Sequence, residues 1–221
     1  LSFRDPASDK YIGSNEAWEK AEGAIRRAVE TLGMNYFEGI GEAAFYGPKL
    51  DFIFQDALER EWQLGTVQVD YNLPERFDLE YVAEDGTRKR PVMIHRAPFG
   101  SLERLVGILI EEYAGDFPLW LAPIQVRLLP VGEEQYPFVK QVAEQLRSLG
   151  IRVEAATSGD RLGKLIRDAE KDKIPVMAVV GAKEVESNSL SIRTRASGEL
   201  GAISVNEVLE RLQSASKQYS N

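Results

Sequence analysis

The 221 residues carry 27 Lys+Arg against 35 Asp+Glu, a formal charge of −8, with 43% apolar and 28% charged positions. That composition suits a globular protein with one large core or two smaller ones, and its acidity argues against gross, non-specific nucleic-acid affinity. The absence of cysteine excludes a disulfide framework and a cysteine-built zinc site, and no apolar run reaches membrane-spanning length. Leu1–Pro6 lacks the features of a signal peptide, so a cytoplasmic location is the expectation. The acid excess lies in the first half. Residues 123–221 hold slightly more basic than acidic groups, so a polyanionic partner is expected to meet that half.

Residues 1–13 show no period. Trp18, Ala21, Ile25, Ala28, Val29 and Leu32 then share one helical face, and Gly33 is placed to end the helix. After a mixed stretch, Tyr46-Gly47-Pro48-Lys49 is a turn signal leading into an alternating strand, Leu50–Gln55. Trp62–Tyr71 reads as a second strand whose Gly65 marks a bulge or a close ligand approach. Gln63, Thr66, Gln68 and Asp70 make it too polar for a purely apolar core strand. Asn72-Leu73-Pro74 breaks it, and Leu79–Ala83 and Arg90–His95 are expected to pair as a hairpin about Glu84-Asp85-Gly86. The first half is therefore α+β, an antiparallel sheet with helices.

Pro91–Glu112 is the densest stretch. A short apolar run carries the single histidine, His95. Gly100 allows a sharp turn, Ser101 is a candidate N-cap, and Leu102, Leu105, Val106, Leu109 and Ile110 form an apolar face. Arg104 falls in the first turn off that face, where a cation opposes the helix dipole unless an anion answers it. A solvated arginine and a phosphate- or carboxylate-binding one fit these residues equally well.

Pro118–Pro123 is the expected domain boundary, separating residues 1–122 from 123–221. Beyond it strands at Gln125–Pro130, Ile151–Ala155, Pro175–Gly181 and Ser189–Arg195 alternate with helices at Pro137–Leu149 and Leu162–Asp172. A last helix begins at Ser204 with a capping box to Glu207. Alternation with short loops predicts a three-layer α/β domain with a mostly parallel mixed sheet.

No G-x-G-x-x-G and no P-loop occurs, so neither usual nucleotide fingerprint applies. With one histidine and no G-x-S-x-G elbow, a serine triad has little support. By residue type His95 reads as a hydrogen-bonded sheet residue rather than a metal ligand, since no second histidine or cysteine accompanies it. A polar strand face (Gln63, Thr66, Gln68), the Tyr46–Lys49 turn and Arg104 suit binding of a zwitterion or nucleotide better than nucleophilic catalysis.

AFYGPKLDF, WQLGTVQVDYNLPERFDLEYV, PVMIHRAPFGSLERLVGILIEE, FPLWLAP, KIPVMAVVGAKEVES, SIRTR and GELG follow one another as in threonyl-tRNA synthetases, and the chain resembles that family along essentially all its length. The resemblance implies that the first half is the C-terminal part of a class II synthetase catalytic domain, with its motif 3 at His95–Glu112. It implies that the second half is the α/β anticodon-binding domain. The function so implied is ATP-dependent activation of threonine and its transfer to tRNA(Thr), with Mg²⁺ accompanying ATP.

Position by position, Arg104 resembles the motif 3 arginine at the ATP phosphates, and Gly100 and Ser101 resemble residues flanking the adenosine. Lys49 and Tyr46 match the substrate-side turn. Gln63 and Thr66 match the floor of the nucleotide site, and Gln68 that of the threonine site. His95 resembles one ligand of a zinc that selects threonine by its amine and hydroxyl, which a hydrophobic pocket discriminates poorly from a methyl. Arg167, Glu184 and Arg193 fall where the family reads anticodon bases, a task suited to guanidinium forks and carboxylates.

Three features depart from the family pattern. The family's other zinc ligands, a cysteine and a histidine, lie upstream of these residues, as do its motif 1, with the homodimer contacts, and its motif 2, whose arginine holds the α-phosphate. Thr157-Ser158-Gly159-Asp160-Arg161 replaces an RNEK-like loop, so an asparagine is missing at Gly159. The expectation is a partial enzyme, inactive by itself. The rival is a stand-alone, non-catalytic tRNA-binding or regulatory relative, against which the joint retention of Tyr46, Lys49, Gln68, His95 and Arg104 argues.

Overall fold

The structure, a computed structural model, describes residues 1–156 and 159–217 and divides into two units, Leu1–Gly107 and Ile108–Asn221.

The first unit opens with β1 (Ser2–Phe3) and α1 (Asn15–Thr31). The Ser14 hydroxyl caps α1 by accepting from the Ala17 N–H at 3.2 Å. Trp18, Ala21, Ile25 and Val29 are its buried stripe. Ala28 and Leu32, expected on that face, are exposed, Leu32 being the C-cap beyond the last helical residue, Thr31. β2 (Gly39–Ile40), β3 (Lys49–Gln55) and β4 (Glu61–Asp70) follow. After them come a short helix α2 (Asn72–Arg76), the strands β5 (Tyr81–Val82), β6 (Arg88–Lys89) and β7 (Met93–Ala97), and α3 (Leu102–Tyr113).

Five of these strands form one sheet in the order β2-β1-β3-β4-β7, antiparallel except where β1 meets β2. Leu1, Phe3, Ile25 and Val29 bury together with Leu50 and Val69 against them. So α1 covers one face of the sheet. The expected hairpin is corrected. β5 pairs only with β6, as a separate ribbon, while the Met93–Ala97 run crosses to pair with β4 over five residues. The longer ladder offers more backbone bonds than a second ribbon strand could.

After the end of α3 the second unit has a proline-rich lead-in strapped to its own sheet. Arg152 donates to the carbonyls of Ala122 (2.8 Å) and Trp120 (2.7 Å), Gln125 Nε2 to Leu119 (2.9 Å), and Arg195 to Phe117 (3.0 Å). Then β8 (Val126–Pro130), α4 (Tyr136–Ser148), β9 (Val153–Ala155), α5 (Leu162–Lys171) and β10 (Val176–Val180) alternate. They are followed by α6 (Ala182–Glu186), β11 (Ser189–Thr194), β12 (Gly198–Ser204) and α7 (Val205–Lys217).

The sheet order is β12-β11-β10-β8-β9, with β9, β8 and β10 parallel and β11 reversed between β10 and β12. Val126, Leu128, Ala178 and Val180 pack with α4 and α7 on one face, and Leu129 and Met177 with α5 on the other, which is the expected three-layer α/β arrangement. β12 has no counterpart in the sequence reading. The Ser204 hydroxyl accepts from the Glu207 N–H at 3.3 Å, the N-cap half of the expected box.

Leu128 is wholly buried and Leu102 on α3 is 65% exposed. Leu128→Ala should cost about 2–5 kcal/mol by urea unfolding, whereas Leu102→Ala should stay within about 0.5 kcal/mol of the parent.

Candidate functional site

Residues directly opposite in a ladder point to the same side of a sheet, and so do residues two apart on one strand. The register sets Ser2, Lys49, Gln68 and His95 in one row across β1, β3, β4 and β7. Asp51, Thr66 and Ala97 form the next row on the same face. Alternation therefore turns the apolar Leu50 and Val69 toward α1 and collects the polar residues on the opposite face. The Lys49, Gln63, Thr66, Gln68 and His95 of the sequence reading are brought together there.

Two aspartates that the sequence reading did not single out as site residues organise this face. Asp51 Oδ1 accepts from Gln63 Nε2 at 2.6 Å and from the Thr66 hydroxyl at 2.7 Å, and its Oδ2 from the Ser2 hydroxyl at 2.7 Å. Lys49 Nζ lies 3.0 Å from the same Oδ2. Burial pushes the Asp51 carboxyl up, but the hydrogen bonds from Thr66, Ser2 and Lys49 outweigh it and hold the group below the usual aspartate range.

Asp70 is fully buried. Its Oδ1 accepts the N–H groups of Asn72 and Leu73 at 2.8 and 3.0 Å, and its Oδ2 faces His95 Nε2 at 3.0 Å. A carboxylate oxygen can only accept, so Nε2 donates in this contact and Nδ1 is the ring nitrogen it leaves unused. Tyr46 packs edge-on to His95, ring centres 5.5 Å apart. Its carbonyl accepts from Asn72 Nδ2 at 2.8 Å, and Gln68 Nε2 donates to the Gly47 carbonyl at 3.0 Å. A Cβ at Gly47 would stand 2.2 Å from the Val69 carbonyl oxygen, so only glycine lets this turn lie against β4.

The second part of the site is the turn before α3. Gly100 has φ +63°, and a Cβ there would meet the Leu64 carbonyl oxygen at 2.9 Å. Ser101 Oγ accepts from the Arg104 N–H at 3.2 Å, which makes it the expected N-cap. Arg104 Nη1 donates to the Gln63 carbonyl at 2.9 Å. The guanidinium is thus anchored beside the β3–β4 register shift at Phe52/Ile53, with most of its donors still directed to solvent. An open cleft of about 320 Å³ adjoins this face, lined by Ser2, Tyr36, Phe37, Lys49, Asp51 and Gln63 among others.

Among the described residues no group of three His, Cys, Asp or Glu gathers as a metal site. His95 offers one free nitrogen where a catalytic zinc takes three protein ligands. The donor set present in this chain does not fit a zinc.

In the second unit Arg193 of β11 pairs with Glu170 of α5 at 3.0 Å, and Arg167 lies one turn earlier on α5. Glu184 is elsewhere. Arg193 is in register with Met177 near the start of β10, whereas Glu184 follows the other end of that strand, and its Oε2 accepts from the Gly181 N–H at 2.9 Å. The same device closes β8, where Gln135 Oε1 accepts from the Gly132 N–H at 2.9 Å. Both caps stand at the carboxyl ends of adjacent parallel strands, the edge where open α/β sheets take ligands. Thr157 and Ser158 of the loop after β9 lie outside the described residues.

Two family models match the chain: the tRNA synthetase class II core domain (G, H, P, S and T) over residues 8–113, and the anticodon binding domain over residues 125–215. The threonine–tRNA ligase of Synechocystis sp. is 80% identical over 213 residues, covering 96% of this chain and 35% of that protein. That of Synechococcus elongatus is 76% identical over 215 residues, covering 97% and 36%. The chain thus spans about a third of the length of these relatives. A crystal structure of the RNA-binding domain of threonyl-tRNA synthetase from Cryptosporidium parvum superposes with a TM-score of 0.81 at 32% identity, covering 97% of this chain and 54% of that one. A class II core segment followed by an anticodon-binding domain, at this level of identity, makes the chain a member of the threonyl-tRNA synthetase family, corresponding to the C-terminal third of its curated ligases.

Proposed function

We propose that this chain supplies one wall of the active site and the tRNA-reading domain of a threonine–tRNA ligase. The observation that carries the reading is the convergence of Lys49, Gln63, Thr66, Gln68, His95 and Arg104 on one sheet face and its adjoining turn. Residues 1–122 serve the chemistry and 123–221 the tRNA, in a homodimeric cytoplasmic enzyme.

In this reading threonine's carboxylate attacks the α-phosphorus of ATP and pyrophosphate leaves. The adenylate then gives its threonyl group to a terminal ribose hydroxyl of tRNA(Thr). Phosphoryl transfer of this kind depends on positioning and on neutralising phosphate charge. Arg104 and Lys49 are the cations for that, Mg²⁺ entering with ATP. Gly100 brings backbone close to the nucleotide and Ser101 fixes the start of α3 beside it. Gln63 and Thr66 floor the nucleotide, while Tyr46 and Gln68 border the amino acid. His95 would give a zinc only one ligand, so no step is assigned to the metal here. Arg167, Arg193 and Glu184 serve anticodon bases, with Arg193 exchanging Glu170 for RNA.

The test is a chimera in which this chain replaces the matching region of the Synechocystis ligase. Threonine-dependent ATP–pyrophosphate exchange should persist. Arg104→Ala in the chimera should lower exchange by roughly a hundredfold or more while leaving tRNA(Thr) binding within about twofold. Near-parental exchange would sink the role of Arg104. Arg167→Ala should do the reverse, weakening tRNA(Thr) binding by roughly fivefold to a hundredfold in a filter assay with exchange preserved.

A further inference from the structure

The polar face has a hydrogen-bond direction as well as a shape. Asp51 is 11% exposed at its side chain and, as a carboxylate, can only accept. The Thr66 hydroxyl has one proton, and it goes to Asp51. Gln63 Nε2 has two, one given to Asp51 and the other to Thr66 Oγ1 at 3.2 Å. Neither Thr66 nor Gln63 has a proton left to donate. Toward a ligand Thr66 presents a lone pair and Gln63 its Oε1, and Lys49 is the donor of the group, held at the other carboxylate oxygen.

We propose that Asp51 is a positioning residue that sets the polarity of the nucleotide floor, making Gln63 and Thr66 acceptors for hydroxyl or amino hydrogens of the nucleoside and leaving phosphate oxygens to the cations. The inference rests on the ATP-binding reading above and adds to it a residue and a direction. A floor of acceptors repels phosphate and selects a nucleoside that can donate, and a buried polar group left without its partner discriminates strongly.

Asp51→Asn in the chimera tests this with little change of volume. The Lys49 ammonium keeps the amide oxygen on its own side, so the amide NH₂ turns to Thr66 and Gln63. Both then accept from it, and their protons point outward. Exchange would be measured with ATP, 2′-deoxy-ATP, 3′-deoxy-ATP and the triphosphate of purine riboside, which separate the two ribose hydroxyls and the exocyclic amine. The parent chimera should disfavour at least one analogue. Asp51→Asn should raise KM for ATP roughly tenfold or more, out of proportion to any change in kcat, and shrink that discrimination. Thr66→Val should lose the same discrimination and combine non-additively with Asp51→Asn.

An unchanged ATP KM in Asp51→Asn, or analogue ratios equal to the parent's, would overturn the role of Asp51 while leaving the ligase reading intact. So would additive losses with Thr66→Val, or a fall in melting temperature with no shift in KM, which is the outcome of a purely structural aspartate. A parent chimera without exchange activity, beside an active Synechocystis enzyme, would overturn the ligase reading and this inference together.

Discussion

The first unit depends on the two-residue period of its strands. Once Leu50 and Val69 are committed to the α1 side, parity sends Lys49, Asp51, Thr66, Gln68 and Asp70 to the other, with no choice residue by residue. A one-residue slip would turn the polar residues of the shifted strand toward Ile25 and Val29, Lys49 if β3 moved or Gln68 if β4 moved, and burying such groups unpaired costs several kcal/mol. The hydrophobic contact that stabilises the sheet therefore also aligns the polar rows. Packing against one face and polar geometry on the other are a single constraint.

The polar side is not a loose collection of charges. Two carboxylates each gather donors from several parts of the chain, Asp51 from Ser2, Lys49, Gln63 and Thr66 and Asp70 from Asn72, Leu73 and His95. Each fixes its neighbours' rotamers before any ligand arrives. Preorganised polar groups of this kind avoid reorganisation at the moment of binding, which is where much of their effect on charged substrates originates.

Long periodic elements were legible in the sequence: α1, α3, α4, α5, α7 and the strands β3, β4, β8 and β10 stand where periodicity and caps put them. What escaped depends on distance in sequence. Adjacency in sequence suggests a hairpin for β7, while its ladder to β4 joins segments far apart in the chain. β12, GELGAIS, has two glycines and a glutamate in seven residues and little β propensity; β11 beside it supplies the order. Gln63, Thr66 and Gln68 could be read as a polar strand face. Asp51 could have been found by the same parity, as a charge on the Lys49 side of a strand whose alternate residues are apolar. The partnership of Arg193 with Glu170, and the separation of Glu184 from both arginines along β10, required the register.

The strapping of the proline-rich lead-in has a mechanical consequence. Backbone carbonyls of Phe117, Leu119, Trp120 and Ala122 are held by side chains of Arg195, Gln125 and Arg152, all anchored in or beside the α/β sheet. Residues 117–122 therefore move with that sheet as part of the same body. A chain started at Pro123 would strip Arg152 and Arg195 of these acceptors and leave guanidiniums to find water instead. In terms of stiffness, the α/β body begins before its first strand.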